Sequence, residues 1–342
     1  MNMIGVCLIG AGRAGMIHAR NFAGRVPGAR MAAVADPVQA ARDAAMAELN
    51  VERGYADYRD ALADPSVDAV VIVSPTKYHR EIALAAAAAG KHILCEKPMA
   101  MDEAECDDMI AAAEKYGVKL QIGFMRRYDA SYLRAKQMID DGAIGDVVLV
   151  KSHTRGPSVP QPWMYDIRVS NGPLAEVNSH DIDSSRWFAG SELKRLFAVG
   201  GNYRSPDARE KYPDFYDNVA LTGVFENGVQ CMIDGSQGVG YGYDAHTEIV
   251  GTKGVLRVGR DAEQFVTCAT AGALTTPFVS SWRTLFRDAY LEEDVQFAEC
   301  IRTGEAPRVT GLDGKMAVRV VKAGNRSIAE GRIVELSEVG LA

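Results

Sequence analysis

The chain has 342 residues, of which 47% are hydrophobic and 24% charged, and a formal net charge of −7. That length suits two domains rather than one, the composition is ordinary for a globular protein, and the acidic balance offers no basic field to nucleic acid. No apolar run approaches the roughly 20 residues of a membrane helix, and the start lacks the basic, apolar and small-residue regions of a signal peptide, so a cytoplasmic protein with no membrane partner is expected.

The apolar run Ile4 to Ile9 predicts a buried strand, and it enters Gly10-Ala11-Gly12-Arg13-Ala14-Gly15-Met16. Gly10 permits a tight turn, Gly12 lets the backbone approach a pyrophosphate, and Gly15 lets the following helix pack closely on the strand. The helix N-terminus then offers unpaired N–H groups and a positive dipole end to phosphate. Gly10, Gly12, Arg13, Ala14, Gly15 and Met16 are therefore candidate cofactor contacts. A second apolar run, Met31 to Ala35, ends at Asp36. That is the distance, about 20 residues past the glycines, at which a carboxylate accepts hydrogen bonds from an adenosine ribose. Taken alone, these residues also fit a tight glycine turn with an acidic helix cap. A 2′-phosphate beside Asp36 would set like charges together, and Pro37 stands where an arginine clamp would be needed, so NAD is expected rather than NADP.

Further strands are predicted at Ala69–Val73, His92–Cys95 and Leu120–Gly123, with helices at Val38–Leu49, Glu81–Ala89 and Glu103–Tyr116. Strand–helix alternation with continuous apolar strands means a parallel sheet covered on both faces, here over residues 1–123. Ligands of such sheets bind at the carboxyl ends of the strands. One loop there carries Ser74, Pro75 and Thr76, small and hydroxyl residues suited to a nicotinamide ribose, with His79 as a structural or cofactor contact. The next carries Glu96 and Lys97 before Pro98, where the lysine ammonium can stabilise a developing alkoxide; a surface ion pair of Glu96 with Lys97 is the alternative. Pro98 restricts Lys97 to extended backbone and allows a cis bond. A third loop holds Arg126 and Arg127, suited to pairing with acids or lining a polar pocket.

From residue 124 to 342 the pattern changes to α+β. A helix, Ser131–Asp141, precedes a strand, Val147–Ser152, and a Pro/Gly-rich loop, Gly156–Pro173. Short alternating runs follow at Val219–Phe225, Val229–Gly235, His246–Val250 and Val255–Val258, with Asn227-Gly228 and Lys253-Gly254 as turn signals. They predict a mostly antiparallel sheet, one face of which suits oligomer contact. Helices near Glu292–Arg302 and Gly314–Ala329 close the chain, the last able to pack back on the first domain. If Pro173 opens a helix, Glu176 and His180 share a face in mutual reach, and a carboxylate that orients an imidazole is standard general-base chemistry. Considered alone, an i,i+4 pair of this kind is better explained by an ordinary amphipathic helix with a capping acid. The six cysteines are scattered, with no CxxC pair, which fits reduced thiols and argues against zinc or a disulfide framework.

The combination of GAGRAG at 10–15, EKPM at 96–99, GFMRRYD at 123–129, AEVNSHDID at 175–183, YDN at 216–218 and EIVGTKG at 248–254 resembles the Gfo/Idh/MocA oxidoreductase family. The motifs keep their order over essentially the whole chain, and GFMRRYD is most similar to the inositol 2-dehydrogenase branch. The resemblance implies a Rossmann domain with NAD, then an α/β domain with a large open sheet that builds dimers and tetramers. It also implies a lysine, an acid and a histidine acting on a cyclitol or sugar hydroxyl, which fall on Lys97, Glu176 and His180. Arg127, His153, Arg155, Trp163 and Tyr243 are candidates for substrate contact. Three positions depart from the pattern: Glu176 stands where aspartate is usual, Ser74-Pro75-Thr76 replaces a TPN-type loop, and Gly156 replaces a frequent asparagine. Alternatives of related chemistry are an NADH-dependent keto-sugar reductase and a redox glycosidase with tightly held NAD. A non-catalytic dinucleotide sensor would need no lysine–acid–histidine set.

Overall fold

A computed structural model describes residues 3–264 and 266–340. They form two compact units, the first taking the chain up to Tyr128 together with Asp288–Met316, the second Asp129–Arg287 together with the chain from Ala317.

In the first unit the strands are β1 (Ile4–Ile9), β2 (Ala29–Ala35), β3 (Gly54–Tyr55), β4 (Ala69–Ile72), β5 (His92–Glu96) and β6 (Leu120–Gly123). They make one sheet in the order β3-β2-β1-β4-β5-β6, every pair parallel. Helices α1 (Gly15–Gly24), α2 (Gln39–Leu49), α3 (Tyr58–Ala63), α4 (His79–Ala88) and α5 (Glu103–Tyr116) connect them. The apolar runs become strands because both sheet faces are covered: every residue of β1 and β4 is buried. Strand order reverses between β1 and β4, which opens a crevice at their carboxyl ends, and ligands of doubly wound sheets bind there. Periodicity does not signal β3, which is two residues long.

In the second unit β7 (Val147–Gly156), β8 (Leu193–Gly201), β9 (Asn218–Phe225), β10 (Gln230–Gln237), β11 (Asp244–Gly251) and β12 (Val255–Val258) join a short last strand. A separate exposed ribbon pairs β13 (Cys268–Thr270) with β14 (Ala273–Thr275), and the last strand is β15 (Val334–Glu335). The large sheet runs β12-β11-β7-β10-β9-β8-β15; only β7 with β10 is parallel. Asn227-Gly228 turns the β9–β10 hairpin, Gly228 at φ 89°. Strand β7 runs four residues beyond the predicted end, because His153 and Arg155 alternate with Thr154 and Gly156 while all four pair with β10 and the first three also with β11. Polar side chains on the outer positions hide that alternation from a reading based on hydrophobicity. The region predicted as one loop holds α7 (Ile167–Ser170), which follows α6 (Ala130–Asp140), and then α8 (Gly172–Glu176) begins.

Helix α9 (Ser179–Ala189) packs on β7, and after the short α10 (Trp282–Leu285) the chain returns to the first unit. There α11 (Arg287–Thr303) buries Phe297 and Ala298 in the same core as Val6, Leu8 and Phe22. Helix α12 (Gly311–Glu330) starts in the first unit and continues in the second, where Ser327 accepts the Ala198 N–H at 2.9 Å. Among the described residues no helix is long and apolar enough to cross a membrane, and all six cysteines are free thiols.

Candidate active site

The glycine-rich turn has the geometry its sequence demands. Gly10 has φ 102°, and a Cβ there would sit 2.7 Å from the Val73 carbonyl oxygen. A Cβ on Gly15 would sit 2.1 Å from the Gly10 carbonyl oxygen, so helix and strand meet without room for a methyl. Gly12 is different, since its Cβ would meet nothing within 4 Å. The space it keeps clear lies outside the protein, with exposed Arg13 beside it and Ala14 and Met16 half-buried behind it. Asp36 holds the turn in place: Oδ2 accepts the Ala11 N–H and Oδ1 the Val38 N–H, each at 2.8 Å. A carboxylate offers about four acceptor sites, so two are left for ribose hydroxyls.

Ser74, Pro75 and Thr76 follow β4, and the Ser74 hydroxyl is buried without a hydrogen-bond partner. Such an orphan polar atom is the kind a bound ribose or amide would satisfy. His79, fully buried, has Nε2 2.7 Å from the Ser74 carbonyl and Nδ1 2.9 Å from the Pro98 carbonyl. Burial pushes its pKa below the ordinary value even against those carbonyls. It braces the two loops from within. Lys97 is half-buried at the end of β5, its bond to Pro98 is cis, and its N–H donates to Glu96 Oε2 at 2.9 Å. Arg127 is buried and paired with Asp313 at 2.9 Å. The clear space over Gly12, the tethered Asp36 and the orphan Ser74 hydroxyl together fit a dinucleotide.

The second unit places Glu176 and His180 on two helices rather than one. Glu176 ends α8, where Pro173 occupies the first turn, and His180 lies in the first turn of α9, the break falling at Val177 and Asn178. Their relation is therefore set by that break and not by a continuous helix. Buried Asn178 donates to Asp181 Oδ2 at 2.8 Å and to the Asp234 carbonyl at 3.0 Å, while Asp181 Oδ1 accepts from Ser152 Oγ at 2.7 Å. These bonds pin the start of α9 to β7 and β10 and leave His180 buried at 6% exposure. Asp183 pairs with Arg186 at 3.6 Å.

Ser152 faces α9, so its neighbours along β7 point away from that helix. His153 and Arg155 accordingly sit on the opposite face, His153 Nε2 2.8 Å from Asp244 and Arg155 held by Asp234 at 2.8 Å and Asp244 at 3.3 Å. Asp244 is held down to about 2: burial would raise it, but His153, Tyr241 and His246 outweigh that. Tyr243 is buried, its ring beside Gly156 and edge-on to Phe286. Trp163 is 42% exposed on a short turn. The structure also assembles a buried group absent from the sequence reading, His18 with Asp294, Asn21 and Glu96. His18 lies just past the glycine motif, but Asp294 is 276 residues away, and no spacing rule links the two.

Comparison with known proteins covers both units. A family model described as an oxidoreductase family with an NAD-binding Rossmann fold matches residues 4–124, and one for the GFO/IDH/MocA C-terminal domain matches 132–257. The chain is 34% identical over 330 residues to the scyllo-inositol 2-dehydrogenase (NAD(+)) of Bacillus subtilis, covering 96% of this chain and 95% of that one. It is 35% identical over 333 residues to the myo-inositol 2-dehydrogenase of Thermotoga maritima, covering 97% and 98%. The crystal structure of scyllo-inositol dehydrogenase from Lactobacillus casei with bound NAD(H) and scyllo-inositol superposes with a TM-score of 0.90 at 29% identity, over 98% of this chain and 100% of that one.

Proposed function

The chain belongs to the Gfo/Idh/MocA oxidoreductases, NAD-dependent enzymes with a Rossmann domain, and from that premise we propose that it oxidises a secondary hydroxyl of an inositol or a related sugar. The observation that carries the reading is the clear space over Gly12 beside a turn tethered by Asp36. Gly10 to Met16 would hold the pyrophosphate, Asp36 the adenosine ribose, and Ser74, Thr76 and Glu96 the nicotinamide end. Asp36 also makes NAD the preferred nucleotide over NADP, by charge repulsion.

Bound NAD supplies the hydride acceptor. His180 takes the proton of the substrate hydroxyl, a task matched to an imidazole whose ordinary pKa lies near 6.5. Glu176 orients that imidazole and stabilises its protonated form. Lys97 donates to the oxygen as it gains negative charge, and loss of such a donor costs about 10²–10³ in kcat. Arg127 and Tyr243 complete the recognition of substrate hydroxyls; His153 and Arg155, directed to the other sheet face, belong to a second role. That face suits a homodimer or tetramer, which light scattering would measure directly.

The test is absorbance of NADH on mixing purified protein with NAD and a panel of inositols and monosaccharides, repeated with NADP. A rise with NAD and one polyol supports the reading. A flat panel from protein that binds NADH overturns it in favour of a keto-sugar reductase or a redox glycosidase.

A further inference from the structure

Behind Glu96 and Lys97 lies a chain of buried polar groups, Asn21, Asp294 and His18, that the proposed reaction does not itself touch. Asn21 Nδ2 donates to Asp294 Oδ2 at 2.8 Å, and Asp294 Oδ1 lies 2.7 Å from His18 Nδ1. His18 Nε2 lies 3.2 Å from Glu96 Oε1, and Glu96 Oε2 accepts the Lys97 N–H at 2.9 Å. His18 and Asp294 are 0% exposed, Asn21 2% and Glu96 5%. Both ring nitrogens of His18 face carboxylate oxygens, which only the imidazolium satisfies, since a neutral ring has one donor. Burial would lower its pKa, but Asp294 and Glu96 outweigh that and hold it well above the ordinary value. The Tyr290 ring stands edge-on to the imidazole, centroids 5.4 Å apart. The Glu96 side chain lies close over Gly123, where a Cβ would sit 3.0 Å from its Cδ.

Buried ion pairs of this kind are poor sources of stability, since desolvation offsets most of their attraction. Their geometric effect is larger: two carboxylates and an imidazolium, all hydrogen-bonded, leave one arrangement for Glu96 and hence for the Lys97 backbone. We propose that His18 and Asp294 are positioning residues that fix Lys97 through Glu96, so that helix α11, near the end of the chain, sets the root of a catalytic side chain at the end of β5. The proposal rests on the role given to Lys97 above and adds the residues that place it. Misplacing a reacting group by about 1 Å costs up to a hundredfold in rate.

Asp294→Asn keeps the shape of the network and removes its central charge. It is expected to lower kcat about ten- to a hundredfold, with the KM for polyol and the NADH dissociation constant changing less than about twofold. The independent readout is the ¹³C-dimethyl-lysine signal of Lys97 in reductively methylated enzyme, assigned by its loss in Lys97→Arg. The signal should move in Asp294→Asn while the other lysine signals stay. Should that variant not fold, His18→Gln, which removes the charge held between the two carboxylates, carries the same measurements. A Lys97 signal at its wild-type position overturns the proposal whatever happens to kcat, and so does a displaced signal with kcat unchanged. If no polyol of the panel supports NAD reduction by wild type, the dehydrogenase reading fails and the Lys97 signal alone decides the network.

Discussion

At the scale of single residues, three glycines of one motif carry different physical duties, and substitution separates them. A methyl on Gly12 meets no protein atom, so Gly12→Ala should leave thermal stability nearly unchanged while weakening NADH binding at least about tenfold, because backbone approach to the pyrophosphate is lost. A methyl on Gly15 collides with backbone, so Gly15→Ala should destabilise the fold by ~1–3 kcal/mol as well. Fluorescence titration and thermal unfolding on the two variants check both statements. For His180→Ala the expected loss is at least about 100-fold in kcat, with NADH affinity retained; an unchanged kcat would remove the histidine from the mechanism. The cofactor turn was readable because each duty imposes a residue type at a set spacing. The surroundings of Lys97 were not, because His18 and Asp294 are joined by folding across 276 residues.

At the scale of elements, the start of α9 depends on β10 through one close contact. A Cβ on Gly235 would lie 1.9 Å from Asn178 Oδ1, and Asn178 cannot retreat while it holds Asp181 and the Asp234 carbonyl. Gly235→Ala should therefore shift the first turn of α9 with His180, lowering kcat about tenfold or more with NADH affinity unaltered, since the change lies in the second unit. Steady-state kinetics beside NADH titration distinguish this from general unfolding. The long amphipathic helix α5 and the continuous apolar runs of β1 and β6 were legible to the residue. The break between Glu176 and His180 was not: AEVNSHDID has no glycine or proline to mark it, and the interruption comes from Asn178 bonding to a strand remote in sequence. The outward side chains of β7 misled for a related reason, since paired charges on an open sheet face look like loop composition.

At the scale of the whole molecule, buried acid in the first unit links stability to pH. Burial, with Glu96 and Asp294 adding to it against His18, raises the Glu293 pKa well above its ordinary 4.5, and its carboxyl oxygens have no hydrogen-bond partner. Unfolded, the group ionises near 4.5; folded, it keeps its proton. Its contribution is thus complete below about pH 4.5 and is lost as pH rises toward the folded value. Glu293→Gln should melt higher than wild type at pH 8, by about 2–4 °C for each kcal/mol recovered, with the gap closing toward pH 4.5. A gap independent of pH would assign the effect to packing instead. The return of α11 to the first unit has a further consequence, for synthesis on the ribosome. At about 5–20 residues per second, His18 waits roughly 15–55 s for Asp294 to be made. Nascent chains stalled before residue 288 should be cut by protease within β1–β6, and chains stalled after release of α11 should resist. The nucleotide-binding half begins the chain yet closes only after most of the second unit has been made, and through that interval it is the part of the chain that a chaperone must shield.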